Sequence, residues 1–160
     1  MSESVHHAVT SYLDSSALVK RYLVEAGTPW VQAWCDDPTQ TIAVAEIGLV
    51  EIAAAFAGKL RGAHITPTQY HGARLDLTAD AQDEYVLVTI SRAVVDQAIE
   101  LTARHRLRGY DAVHLACALT LNRALVARGL LPLLFVSADE DLLKAAAAEG
   151  IPIENPDLHP

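Results

Sequence analysis

The chain has 160 residues, of which 51% are hydrophobic and 20% charged, and 12 basic side chains against 20 acidic ones give a formal net charge of −8. These fractions exclude an intrinsically disordered chain, and the length suffices for one domain with its own core. The negative charge argues against polyanion binding through bulk charge, but a nucleic-acid enzyme that uses metal ions or a local basic patch remains compatible with it.

Cysteine content and hydropathy also limit the class of protein. Cys35 and Cys117 are too few for a disulfide framework and indicate buried free thiols in a reducing cytoplasm. The most apolar stretch, residues 129–138, contains Pro132 and is too short to span a bilayer. Residues 1–7 are polar, carry no export signal and are predicted to form a flexible tail before a single domain.

Short apolar strand patterns alternate with helical patterns along the whole chain. The predicted strands are Val9–Leu13, Thr41–Val44, Tyr85–Ile90, Leu133–Val136 and Ile151–Ile153. The predicted helices start near Ser16, Thr28, Ala45, Thr66, Ser91, Tyr110 and Ser137, with Thr28 expected as an N-cap and Ser137 as the start of a capping box with Glu140. Because the strand patterns are apolar rather than alternating, both sheet faces should be covered. The order predicts a three-layer α/β/α sandwich with a mostly parallel central sheet of four or five strands.

Four carboxylates lie where a purely structural role explains them poorly. Asp14 and Asp139 directly follow predicted strands, and sites in open parallel sheets collect at the carboxyl ends of strands. Glu51 and Asp111 lie on apolar stripes of predicted helices, where an unpaired carboxylate is costly. Each aspartate alone also fits a helix start. Together the four acids predict shared protons or a hard cation, and an oxygen-only donor set favours Mg²⁺ or Mn²⁺ over Zn²⁺.

Three polar residues near these acids are given structural roles. Glu46 begins its predicted helix, where an acid suits the helix dipole. Asp141 is predicted to face solvent. His114 lies one turn after Asp111 and is interpreted as a satisfied core or rim histidine rather than as a metal ligand.

Four segments in order along the chain carry a family resemblance: residues 12–22 (YLDSSALVKRY), 45–55 (AEIGLVEIAAA), 108–118 (RGYDAVHLACA) and 135–146 (FVSADEDLLKAA). They resemble the PIN-domain ribonucleases, and more narrowly the VapC-like toxins of type II toxin–antitoxin systems. The resemblance implies a PIN-like fold and assigns the catalytic, metal-binding acids to Asp14, Glu51, Asp111 and Asp139, with Ser137 as a supporting hydroxyl.

The resemblance also implies an activity and partners. It implies an endoribonuclease in which Mg²⁺ or Mn²⁺ activates water to hydrolyse RNA, with a VapB-like antitoxin as inhibitor and a homodimer for which the helices near Trp30 and Trp34 offer a surface. Candidate RNA phosphate contacts are Lys20, Arg21, Lys59, Arg61, Arg104 and Arg108. The sequence departs from the family at residues 58–61, where Gly-Lys-Leu-Arg replaces a frequent arginine. Residues 62–83 match nothing specific and are a candidate region for substrate or partner choice.

Two other interpretations stay open. One is a catalytically silent PIN-fold binding module, which the presence of all four acids argues against. The other is an α/β phosphohydrolase or phospho-acceptor that uses Asp14 covalently. The sequence Asp14-Ser15-Ser16 lacks the second aspartate of the D-x-D pattern of such hydrolases.

Overall fold

The computed structural model describes residues 8–160, so the predicted tail at residues 1–7 lies outside the described residues. The strands are β1 Val9–Leu13, β2 Gln40–Ala45, β3 Val86–Val88, β4 Leu134–Val136 and β5 Ile153–Glu154. The helices are α1 Ser15–Tyr22, α2 Thr28–Asp36, α3 Glu46–Arg61, α4 Pro67–Asp83, α5 Arg92–Arg104, α6 Gly109–Ala127 and α7 Glu140–Ala148, and a 3₁₀ turn spans Pro156–Leu158. Among residues 8–160, no helix is both long and apolar enough to cross a membrane.

The five strands form one sheet in the order β3-β2-β1-β4-β5, and every neighbouring pair is parallel. The chain moves outward from β1 through β2 to β3, then returns to place β4 on the other side of β1. This reversal opens a crevice at the carboxyl ends of β1 and β4, where parallel α/β sheets bind ligands. Leu13 pairs with Val136 at that edge, and the Asp14 N–H donates to the Val136 carbonyl at 3.2 Å. The predicted α/β sandwich is confirmed.

Helices cover both faces of the sheet because successive strand residues point to opposite sides. Tyr12 and Phe135 lie in one apolar cluster, which is completed by α5, α6 and α7. Leu13 and Val136 lie in a second cluster, which is completed by α1 to α4. Burial on both faces explains why the strand sequences are continuously apolar.

The start of α2 differs from the prediction. Gly27, at φ 82°, is the N-cap, and Thr28 is the first helical residue rather than the cap. A Cβ on Gly27 would lie 2.4 Å from the Pro156 carbonyl oxygen, so the close approach of the C-terminal turn requires glycine at this position. Along α2, Val31 is fully buried, whereas Trp30 and Trp34 are half-buried and stack on each other at 5.1 Å.

Candidate active site

Asp14 occupies the crevice between β1 and β4. It directly follows β1 and is the N-cap of α1, where its Oδ1 accepts the Ala17 N–H at 3.0 Å. The Ser16 hydroxyl donates to Oδ1 and the Ser137 hydroxyl donates to Oδ2, both at 2.7 Å. Only 3% of Asp14 is exposed. Burial raises the pKa of its carboxyl, while the bonds from Ser137 and Ser16 act in the opposite direction.

Two serine hydroxyls join the loops that follow β1 and β4. The Ala138 N–H donates to Ser16 Oγ at 3.0 Å, and the Asp139 N–H donates to Ser137 Oγ at 3.0 Å. Ser137 therefore lies where the predicted supporting hydroxyl was expected. Sequence reasoning missed Ser16. Its signal is a hydroxyl two residues after a strand-end aspartate, a spacing at which serine bonds back to local polar groups.

Asp139 lies on the other side of Ser137 and is the N-cap of α7. Its Oδ1 accepts the Leu142 N–H at 3.0 Å, so the predicted capping box that starts at Ser137 is wrong. The Ser137 hydroxyl instead donates to Asp14 and accepts the Asp139 N–H, so Asp139, two residues later, caps the helix. The Asp139 Oδ2 atom has no hydrogen bond to the described residues, which leaves it available to a ligand.

Asp111 lies in the first turn of α6 and is half-buried. Its pKa is raised first by burial and then by the negative charge of Asp139, with a smaller contribution from Glu51. Positive charge on His114 and on Arg108 acts in the opposite direction. Asp139 and Glu51 therefore each lie within electrostatic range of Asp111.

Glu51 lies on α3 at the rim of the site, with 29% of its side chain exposed. The apolar stripe predicted around Glu51 is not the buried face of α3, because Ala54 and Ala55, three and four residues further on, are exposed. The buried face of α3 is instead formed by Gly48, Ile52 and Phe56. This places Glu51 beside the core, where its carboxylate receives a hydrogen bond from His114.

His114 lies in α6 and is 1% exposed. Its Nδ1 lies 2.6 Å from the Tyr12 hydroxyl, and its Nε2 contacts Glu51 Oε1. Both ring nitrogens have partners, which agrees with the interpretation of a satisfied core histidine. Gly48 gives the ring its space, because a Cβ there would lie 3.4 Å from His114 Cε1 and 3.1 Å from a Val44 methyl group.

Two of the predicted phosphate contacts are engaged elsewhere. Lys20 is 5% exposed, and its Nζ lies 2.9 Å from Asp157 and 3.3 Å from Glu25. The Arg21 side chain is largely buried, and its guanidinium pairs with the Asp80 carboxylate at 3.3 Å. Lys20 and Arg21 therefore form internal ion pairs, and removing a buried cation from its carboxylate is costly.

The other four predicted phosphate contacts differ in position. Arg104 is bonded to Glu149 at the ends of α5 and α7. Lys59 is partly exposed, and Arg61 is exposed at the end of α3. Arg108 is the exposed N-cap residue of α6, and its charge acts on Asp111. Arg108 is thus the predicted cation for which the structure gives a direct electrostatic link to the acids.

The donor set of the crevice fits a hard divalent cation. Its acidic side chains are carboxylates, and the repulsion between Asp111 and Asp139 is of the kind that such an ion relieves. Within residues 8–160, however, no three His, Cys, Asp or Glu side chains converge in the arrangement of a metal centre. The oxygen donors are therefore of the type that a divalent metal prefers, but their side chains are not arranged as a formed metal centre.

The acids that follow β1 and β4 lie at the switch point of a parallel sheet, which is the ligand-binding position of open α/β proteins. Residues 11–148 match the PIN domain family, and the chain belongs to that family. The predicted resemblance is thereby confirmed.

Named relatives narrow the comparison. Ribonuclease VapC45 of Mycobacterium tuberculosis (strain CDC 1551 / Oshkosh) is 31% identical over 114 residues, which cover 69% of this chain and 76% of the relative. The structure of M. tuberculosis VapC20, a Sarcin-Ricin loop cleaving toxin, aligns with a TM-score of 0.60 at 16% identity over 88% of this chain and 95% of that one. A toxin–antitoxin complex from Klebsiella pneumoniae contains a chain that aligns with a TM-score of 0.54 at 19% identity over 91% and 97%. The two structures support the fold.

Proposed function

We propose that this protein is a Mg²⁺- or Mn²⁺-dependent endoribonuclease of the VapC type. The observation that carries the proposal is that Asp14 and Asp139 follow β1 and β4 at the switch point of the sheet, while Asp139 and Glu51 lie within electrostatic range of Asp111 and raise its pKa. Carboxylates that repel one another at such a crevice are the environment that a divalent ion occupies. Membership of the PIN family and 31% identity to a ribonuclease support the same activity.

Each acid has a role that follows from its surroundings. Asp111 and Asp139 would hold the ion directly, since Asp139 Oδ2 accepts no hydrogen bond from residues 8–160 and the charge of Asp139 acts on Asp111. Asp14 would contribute from the floor of the crevice, with Ser16 and Ser137 fixing its oxygens. Glu51 would act directly or through water. When bound, the metal supplies a water of lowered pKa and stabilises the leaving 3′-oxygen.

Arg108 is the best-placed cation for the RNA backbone. It is exposed and its charge acts on Asp111, so a phosphate seated against the acids would meet it. Lys20 and Arg21 are left out of this role because both are committed to internal carboxylates.

The proposal includes a toxin role, with a VapB-like antitoxin as inhibitor, in a homodimer in the cytoplasm. The relatives named for ribonuclease VapC and for a toxin–antitoxin complex support the antitoxin. The half-buried stack of Trp30 and Trp34 on α2 remains the proposed surface for a second copy.

The geometry argues against covalent catalysis by Asp14. A nucleophilic carboxylate needs an oxygen open to the phosphorus atom, whereas Asp14 is 3% exposed and both of its oxygens accept hydrogen bonds. The silent binding module is disfavoured by the retention of all four acids, whose mutual repulsion would be a cost without a function.

Cleavage of a pool of structured RNAs by purified protein tests the activity. The assay is run with Mg²⁺, with Mn²⁺ and with EDTA, alongside Asp111→Asn and Asp141→Asn purified identically. Asp141 is an exposed first-turn acid of α7, so its variant controls for loss of one negative charge at a helix start. Metal-dependent cutting that Asp111→Asn abolishes and Asp141→Asn retains is expected. Cutting that survives in Asp111→Asn would contradict the proposal and indicate a contaminating nuclease.

A further inference from the structure

Three polar side chains form a chain of contacts from the sheet to the rim of the site. The Tyr12 hydroxyl lies 2.6 Å from His114 Nδ1, and His114 Nε2 contacts the Glu51 carboxylate. Tyr12 is fully buried on β1 and stacks on Phe135 at 5.6 Å, so its ring cannot turn away. The chain of contacts therefore links a rigid strand to a partly exposed acid at the rim of the site.

The hydrogen bonds in this chain run in one direction. The Glu51 carboxylate has no proton to donate, so the His114 Nε2 atom that contacts it carries the ring proton. In the neutral ring, Nδ1 is then an acceptor, and the Tyr12 hydroxyl at 2.6 Å donates to it.

We infer that Tyr12 and His114 are positioning residues that fix Glu51, with Tyr12 selecting the Nε2–H tautomer of His114 and that N–H holding one carboxylate oxygen. This inference rests on the proposed function for its consequence but on the contacts alone for its geometry. A glutamate with 29% of its side chain exposed has three rotatable bonds, and ordering it costs conformational entropy. His114 is itself held by the buried Tyr12, so its hydrogen bond orders Glu51 before a ligand binds. The entropy cost of ordering Glu51 is then not subtracted from the ligand affinity.

Two substitutions at His114 separate positioning from packing. His114→Gln puts an amide N–H near the Nε2 position and can still donate to Glu51. His114→Asn puts its amide near the Nδ1 position and keeps only the Tyr12 side of the chain. We expect Asn to weaken Mn²⁺ affinity and RNA cleavage by about 10- to 100-fold, the usual range for loss of an outer-shell partner, and Gln to restore most of both. His105→Asn is the matched control, because His105 Nε2 contacts Glu149 away from the site.

A spectroscopic readout tests the chain without any activity. ¹⁵N NMR of histidine-labelled protein should show His114 as the neutral Nε2–H tautomer, and Tyr12→Phe, which removes one oxygen and keeps the ring, should abolish that single-tautomer signature. An Nδ1–H tautomer in the wild type would overturn the inference, and so would equal Mn²⁺ affinity in His114→Asn and wild type. A wild-type protein with the expected tautomer that neither binds Mn²⁺ nor cuts RNA would overturn the proposed function while upholding the directed chain.

Discussion

Replacing Asp111 by asparagine should stabilise the metal-free protein and remove its response to metal. The folded-state pKa of Asp111 is raised by burial and by Asp139, so ionisation is less favourable in the folded than in the unfolded chain. Stability therefore falls as the pH rises from the unfolded pKa through the folded one, and the loss is complete above it. Asparagine carries no charge and escapes that loss. The advantage of the variant should disappear at acid pH, where wild-type Asp111 is protonated.

The stabilisation expected from a bound metal ion follows from its concentration. At about 100 times its dissociation constant, the ion stabilises the folded state by about 2.7 kcal/mol. For a chain of this size, that corresponds to a rise in melting temperature of roughly 5–10 °C. Differential scanning fluorimetry with and without Mg²⁺ or Mn²⁺ measures it. Wild type should show the rise, and Asp111→Asn should lose most of it.

The control for this experiment is Asp141→Asn. Both aspartates lie in the first turn of a helix, so both variants lose a favourable interaction with the helix dipole of about 0.3–1 kcal/mol. The charge of Asp139 raises the pKa of Asp111, which is half-buried, whereas Asp141 is exposed to solvent. Asp141→Asn should therefore keep the full metal-induced rise. Equal metal responses in the two variants, or a metal-free Asp111→Asn that melts below the control at neutral pH, would refute the assignment of Asp111 to a repulsive metal site.

Three further outcomes follow from the contacts. Ser137→Ala should lower the free energy of unfolding by roughly 1–3 kcal/mol in urea titrations, because it leaves a buried oxygen of Asp14 without its donor, and an unchanged midpoint would contradict that bond. Arg108→Gln should weaken RNA binding in filter assays without lowering the melting temperature, whereas Lys20→Gln should lower the melting temperature; the reverse pattern would restore Lys20 as an RNA contact. Burial raises the pKa of the Cys117 thiol to about 11, so iodoacetamide at mildly alkaline pH should modify it only after unfolding, as mass spectrometry would show.

The strand-end acids could be predicted because their signal is local. Asp14 and Asp139 each follow a short apolar run, and the carboxyl ends of parallel strands meet at one sheet edge. The predicted N-cap of α7 was wrong because the contact that decides it is not local in the sequence. Ser137 is a good cap by composition, but its hydroxyl is engaged by Asp14, far away in the sequence.

Residue faces and ion pairs were harder to predict. The many alanines of α3 make every face of the helix apolar. The sequence therefore does not distinguish the face that contains Glu51 from the buried face, which contains the next residue, Ile52. Lys20 and Arg21 resemble surface cations at the end of a short helix. Their carboxylate partners come from distant parts of the chain, which only the tertiary fold brings together.

The way in which Asp14 is stabilised is itself an argument for a cation site. A buried carboxylate is usually paired with lysine or arginine, and the protein has such pairs elsewhere, as at Lys20. At Asp14 the hydrogen bonds come instead from Ser16, Ser137 and a backbone amide. These donors offset part of the desolvation cost but carry no positive charge of their own. A purely structural Asp14 would gain more from a cationic partner, whereas a ligand for a divalent ion requires that place to be left open.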